Sequence, residues 1–146
     1  MIKAPSAPLT TPARDALISE LRRHVDAVMN AMPFDLRRAH DHAVLGFITA
    51  VRLVADDKVK DSYAKYCKNG AGRLSRLIRE NTGIDFTFTC DSLADLEAAN
   101  ETYNNLIFRK PRVAVYFAMM MLEVFINAAY GVREEETAPR ESGRTN

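Results

Sequence analysis

The sequence predicts an all-α fold, a single-domain bundle of about five helices, from three observations. Apolar residues recur at three- and four-residue spacing along most of the chain. Glycine and proline are scarce in the central region and tryptophan is absent, a composition that favours helices over a turn-rich sandwich. Only one short segment, near residues 84–90, alternates with a period of two. With 146 residues, 47% of them hydrophobic, the chain has the apolar mass for one core of ordinary size. The expected organisation is a flexible N-terminal arm over 1–10, a helical bundle over 11–132 and a polar, disordered tail over 133–146.

The first helix is expected to start at Thr11 as N-cap, with Pro12 at the first helical position, where its missing N–H costs nothing. Leu17, Leu21, Val25 and Val28 give it helical spacing, and Pro33 stops it. A second helix restarts after Asp35, with Leu36, Ala43, Val44, Phe47, Ile48, Val51 and Val54 as a broad apolar stripe. The "ADD" at 55–57 ends it and caps the third helix. That helix carries Val59, Tyr63, Tyr66, Cys67, Gly70, Leu74, Leu77 and Ile78 in phase. The apolar phase survives the "NGAG" stretch at 69–72, so one long helix is open there, as is a break or kink with Asn69–Gly70 as a C-cap, which the two glycines favour.

In "TGIDFTFTC", Ile84, Phe86, Phe88 and Cys90 alternate with Asp85, Thr87 and Thr89. A lone strand leaves its backbone groups unpaired. The segment is therefore either an extended loop whose aromatics plug the bundle, or a strand that pairs with a second copy or another protein. A fourth helix follows Asp91, with Leu93, Leu96, Ala99, Tyr103, Leu106 and Ile107 in phase. A fifth runs from Pro111 to Gly131.

The fifth helix raises the question of a membrane, since about 20 apolar residues span a bilayer. Glu123 falls at its centre, where an acid costs roughly 2.5–3.5 kcal/mol. Tyr116, Met120, Glu123, Asn127 and Tyr130 share one face, and a lipid-facing helix has no use for such a stripe. The expectation is a nearly enclosed central helix and no membrane. The semi-polar stripe then meets solvent, a neighbour in the bundle or another subunit. Cys67 and Cys90 form no CxxC pair, and the N-terminus has no apolar secretory core. Both point to a reducing, cytoplasmic setting.

Metal and cofactor chemistry find no support. His24, His40 and His42 offer no His-x-x-x-His or Glu-x-x-His spacing, and no glycine-rich phosphate loop or Gly-x-Ser-x-Gly occurs. One enzyme pattern exists: "RRAHDH" holds Arg37 and His42 with four residues between them. It is similar to the Arg-x4-His signature of the HEPN ribonucleases, which are also small helical bundles. The resemblance implies RNA cleavage by the arginine and histidine at a dimer interface. The chain departs from the family in having Arg38 after Arg37, where a polar residue is usual, and in carrying the motif on its second helix.

Lys+Arg and Asp+Glu nearly cancel, 20 against 19, so local pattern rather than bulk charge must identify a partner. On the third helix Lys58, Lys65, Lys68, Arg76 and Arg79 share one face, with Gly72 in the same row and Arg73 beside it. Such a stripe suits a phosphate backbone. Arg109, Lys110 and Arg112 crowd the start of the fifth helix, where cations oppose the helix dipole and, with free N–H groups, favour an anion. The acidic run 134–136, from this chain or a neighbour, is one candidate anion and phosphate is another.

The leading expectation is a non-enzymatic adaptor, regulator or subunit of an assembly that contacts RNA or DNA backbone through Lys65, Lys68, Arg73, Arg76, Arg79, Arg109, Lys110 and Arg112. A protein partner or a second copy would meet Phe86, Phe88 or the Tyr116–Tyr130 stripe. The alternatives are a module that binds an acidic protein and the ribonuclease.

Overall fold

The computed structural model of the protein describes residues 9–137. They form five helices in the order α1 (Thr11–Ala31), α2 (Leu36–Leu53), α3 (Asp57–Thr82), α4 (Ser92–Leu106) and α5 (Pro111–Thr137). Among the described residues there is no strand. Residues 1–8 of the expected arm and 138–146 of the expected tail lie outside the described residues.

Short polar side chains start the helices by accepting N–H groups that have no partner within the helix. Thr10, not Thr11, caps α1, accepting from Ala13 N at 3.3 Å, so Pro12 falls in the second helical position. Asp35 accepts from Arg38 N at 3.0 Å, Asp56 from Lys58 N at 2.8 Å, and Asp91 from Leu93 N and Ala94 N at 3.1 Å.

The third helix is continuous over 26 residues, against the expected break at 69–72. Two interior glycines cost about 1 kcal/mol each against alanine. Packing outweighs that cost, because Val59, Tyr63, Cys67, Leu74 and Ile78 are all buried along one side. The stop comes at Gly83, whose φ of +75° is the left-handed C-cap conformation. The two glycine environments make opposite predictions. Gly72→Ala raises stability by up to about 1 kcal/mol, since nothing lies within 4 Å of the added Cβ. Gly83→Ala lowers it by roughly 1–2 kcal/mol through left-handed strain alone. Urea unfolding of both variants checks this, and a destabilised Gly72→Ala contradicts the continuous helix.

The fifth helix packs against all four others, while α1 pairs with α2 and α4 touches both α2 and α3. The neighbours therefore surround α5 in the order α1, α2, α4, α3. An 18-residue window of α5 is apolar enough to cross a membrane by length and composition, yet 67% of it is buried inside the bundle. Phe117, Met121, Leu122, Phe125 and Ile126 are fully enclosed.

The semi-polar stripe of α5 lies in the gap between α1 and α3, which scarcely touch. Tyr116, Met120, Glu123 and Tyr130 are half-buried there and Asn127 is exposed. Arg22 approaches Glu123 at 3.9 Å from one side, and Asn127 donates to the Tyr66 hydroxyl at 3.4 Å on the other.

One expectation about faces is corrected, and of the two alternatives for the 84–90 segment the aromatic plug holds. In α2 the buried side is Ala39, Ala43, Gly46, Phe47, Ala50 and Val51, while Val44 and Ile48 are exposed. Small residues win this face because large side chains of α5 fill the space beside it: a Cβ on Gly46 would stand 2.6 Å from Leu122 Cδ1. The 84–90 segment is an extended plug. Phe86 and Phe88 are buried, and Phe86 packs on Phe117 with centroids 5.5 Å apart. Neither ring is available as the interface residue that alternation suggested.

Buried Asp95 pins the plug. It accepts from Thr89 N at 2.8 Å, from the Thr89 hydroxyl at 2.7 Å and from the Tyr63 hydroxyl at 2.5 Å.

The fifth helix also runs past its expected end at Gly131 to Thr137. Its last turns are held by charge. Buried Arg14 donates to Asp56 at 3.1 Å and to Glu136 at 2.5 Å, and Lys58 meets Glu136 at 2.7 Å.

Candidate nucleic-acid interface

The outward face of α3 changes character along its length. Its first two turns mix Asp57, Lys58, Lys60 and Asp61, and Lys58 is already paired with Glu136. From residue 64 to 79 the sequence has Lys65, Lys68, Arg73, Arg76 and Arg79 and no carboxylate. All five are exposed. Arg79 lies 3.8 Å from Asp85, whereas Lys65, Lys68, Arg73 and Arg76 have no carboxylate partner among the described residues. Halfway along, the missing side chains of Gly70 and Gly72 leave a shallow hollow walled by Tyr66, Lys68, Asn69 and Arg73. An anion entering it meets two cations, Lys68 and Arg73, and no side chain at Gly70 or Gly72.

Antiparallel packing joins this face to the second basic cluster. Tyr63 stacks on Phe125 with centroids 4.7 Å apart. From that level, Arg76 and Arg112 each stand thirteen residues along their helices, about 20 Å in the same direction. Arg109, Lys110 and Arg112 are exposed at the same end, where Arg109 Nε donates to Asn105 O at 3.0 Å. The acidic run 134–136 lies at the other end of α5, about 36 Å from Arg112 along a helix of 1.5 Å rise. Glu136 there serves Arg14 and Lys58. Pairing of that run with Arg109–Arg112 within one chain is thereby corrected.

The α1–α2 loop stands at this end too, because His40 near the start of α2 meets the hydroxyl of Tyr103 near the end of α4 at 2.5 Å. It carries Phe34, which is 94% exposed, and the α4–α5 loop carries Phe108, 92% exposed. Pattern analysis missed both, because each lies in a turn, off every helical stripe. Their only sequence signal was a large aromatic beside proline and arginine in a connector.

The ribonuclease-like pair is not brought together in an obvious site. Arg37 is exposed in the first turn of α2, while half-buried His42 faces α1, its Nδ1 3.1 Å from His24 Nδ1. Burial, with His42 beside it, holds the His24 pKa below its ordinary value. Burial pushes the Cys67 thiol up to about 11, which leaves it protonated and unreactive at neutral pH. Among the described residues no three His, Cys, Asp or Glu side chains cluster as metal ligands would.

Compared with known proteins, the chain matches no family model, no curated protein and no solved structure.

Proposed function

We infer that the protein is a non-enzymatic helical adaptor whose cationic face binds a nucleic-acid backbone. One observation carries the reading: α3 presents an exposed, carboxylate-free row of cations over residues 64–79, continuous at its end with Arg109–Arg112. Phosphates spaced along a chain suit such a row, because each neutralised phosphate releases counterions. The row supplies phosphate contacts and no groove-reading element, so binding is indifferent to base sequence.

The adaptor part of the reading has separate support. Val44, Leu45 and Ile48 are exposed on α2, and a largely apolar groove between α2 and α4 is lined by Val44, Phe47, Ile48 and Val51, with Arg52, Asn100 and Asn104 as its polar members. Exposed apolar surface of this kind favours a protein partner or a second copy of the chain. With α4 standing between α2 and α3, the apolar and cationic faces point to different sides.

Charge reversal tests the proposal. Arg76→Glu with Arg79→Glu weakens binding to labelled oligonucleotides of every sequence alike. Unchanged affinity would remove α3 from the interface. RNA cleavage that depends on His42 would replace this reading with the ribonuclease.

A further inference from the structure

We propose that the loop end of the bundle is a single-strand nucleic-acid site, in which Phe34 and Phe108 are stacking platforms for bases and the surrounding cations hold the phosphates. The proposal rests on the polyanion reading above and names the form of nucleic acid. Large apolar rings above nine-tenths exposure are unusual on a folded surface, and here two stand at one end of the molecule, each beside cations. Phe108 directly precedes Arg109 and Lys110.

Phe34 borders a hollow whose walls include Arg23, Ala27, Asn30 and Arg38. The two acids there are already engaged: Asp35 caps α2 through Arg38 N, and Asp26 lies 3.6 Å from Arg22. The hollow thus offers one aromatic face and two guanidinium groups for a base and its phosphates, with Asp26 and Asp35 on its wall as carboxylates turned to Arg22 and to the α2 cap. Both platforms are held in place. Asp35 N bonds to Ala31 O at 2.7 Å, and Arg109 N and Lys110 N both bond to Leu106 O, at 2.9 and 2.7 Å. Short loops tied back to their helices present the rings without a large ordering cost.

A stacked base must show its face, which a duplex does not permit and a single strand does. An anionic membrane also welcomes aromatics flanked by cations. A planar bilayer laid on this end would reach the rings, but not the cations that continue about 20 Å down α3 from Arg79 to Lys65. A flexible strand reaches both.

The test is fluorescence anisotropy on the full chain. The probes are a 20-nucleotide oligo-dT and oligo-U, a 20-base-pair duplex and, separately, phosphatidylserine vesicles. The double variant Phe34→Ala, Phe108→Ala is expected to lose single-strand affinity by roughly tenfold per ring. Its duplex affinity, salt dependence and melting temperature stay unchanged, and Phe34→Trp with Phe108→Trp restores binding. Equal affinity of wild type and alanine variant for single strands overturns the site while leaving the backbone-binding reading intact. No binding of wild type to either nucleic acid defeats that reading, and the site with it. Ring-dependent binding to vesicles without single-strand binding overturns the proposal in favour of a lipid surface.

Discussion

Replacing Phe125 by alanine lowers the unfolding free energy by about 3–5 kcal/mol, the range for emptying a core aromatic site. Phe125 is fully enclosed, and its ring lies parallel to Tyr63 across the α3–α5 seam, 1° from coplanar orientation. The loss combines the transfer cost of the ring with a cavity at the centre of the bundle, where α5 is surrounded by its neighbours and they cannot collapse inward freely. Denaturant unfolding measures it as a lower midpoint at constant slope. Phe108→Ala is the control: at 92% exposure it changes stability by less than about 0.5 kcal/mol. A Phe125→Ala variant as stable as the control would mean that α5 is not the central helix.

Arg14→Met costs about 3 kcal/mol, the low end of the range for breaking a buried ion pair, because Glu136 retains contact with water. Methionine keeps much of the volume and removes the charge. Asp56, itself buried, then keeps its cap to Lys58 N but loses its cation. The same contacts set an acid dependence. Hydrogen bonds from Arg14 and then Lys58 hold the Glu136 carboxyl at about 2, against an ordinary 4.5. Between those values the unfolded chain binds the proton and the folded chain does not, so stability falls as pH falls. The Glu136 contribution is complete above 4.5 and is lost as pH drops towards 2. Melting temperatures of wild type between pH 6 and 2 should therefore fall more steeply than those of Arg14→Met. Parallel curves would show that the Arg14 contact does not hold Glu136 in its charged form.

What the sequence revealed follows from how local each cause is. Helix starts were legible at Asp35, Asp56 and Asp91 because capping involves groups two or three residues apart. The cationic face of α3 was legible because it needs only the helical period. That Lys58 belongs to a different group was not, since its partner Glu136 is 78 residues away. The break expected at Gly70 weighed a local penalty without the α3–α5 packing that overrides it. In α2, counting apolarity chose Val44 and Ile48, whereas the fold chose the small row Ala39, Ala43, Gly46 and Ala50. That row was present in the sequence and would have been found by asking about size. The exposure of Phe34 and Phe108 depends on where the chain turns, and no periodicity encodes it.

Salt dependence tests whether the face from Lys65 to Arg79 and the Arg109–Arg112 corner hold a phosphate backbone. Binding of a labelled oligonucleotide is measured over a range of sodium chloride concentrations, for wild type and for Arg76→Glu with Arg79→Glu. The wild-type plot of log K against log salt should be steep and linear, with a slope of about −0.7 per phosphate for a single strand and −0.9 for a duplex. The charge-reversed protein should bind more weakly, with a slope shallower by about two phosphates' worth. A salt-independent affinity, or parallel lines for the two proteins, would contradict the account.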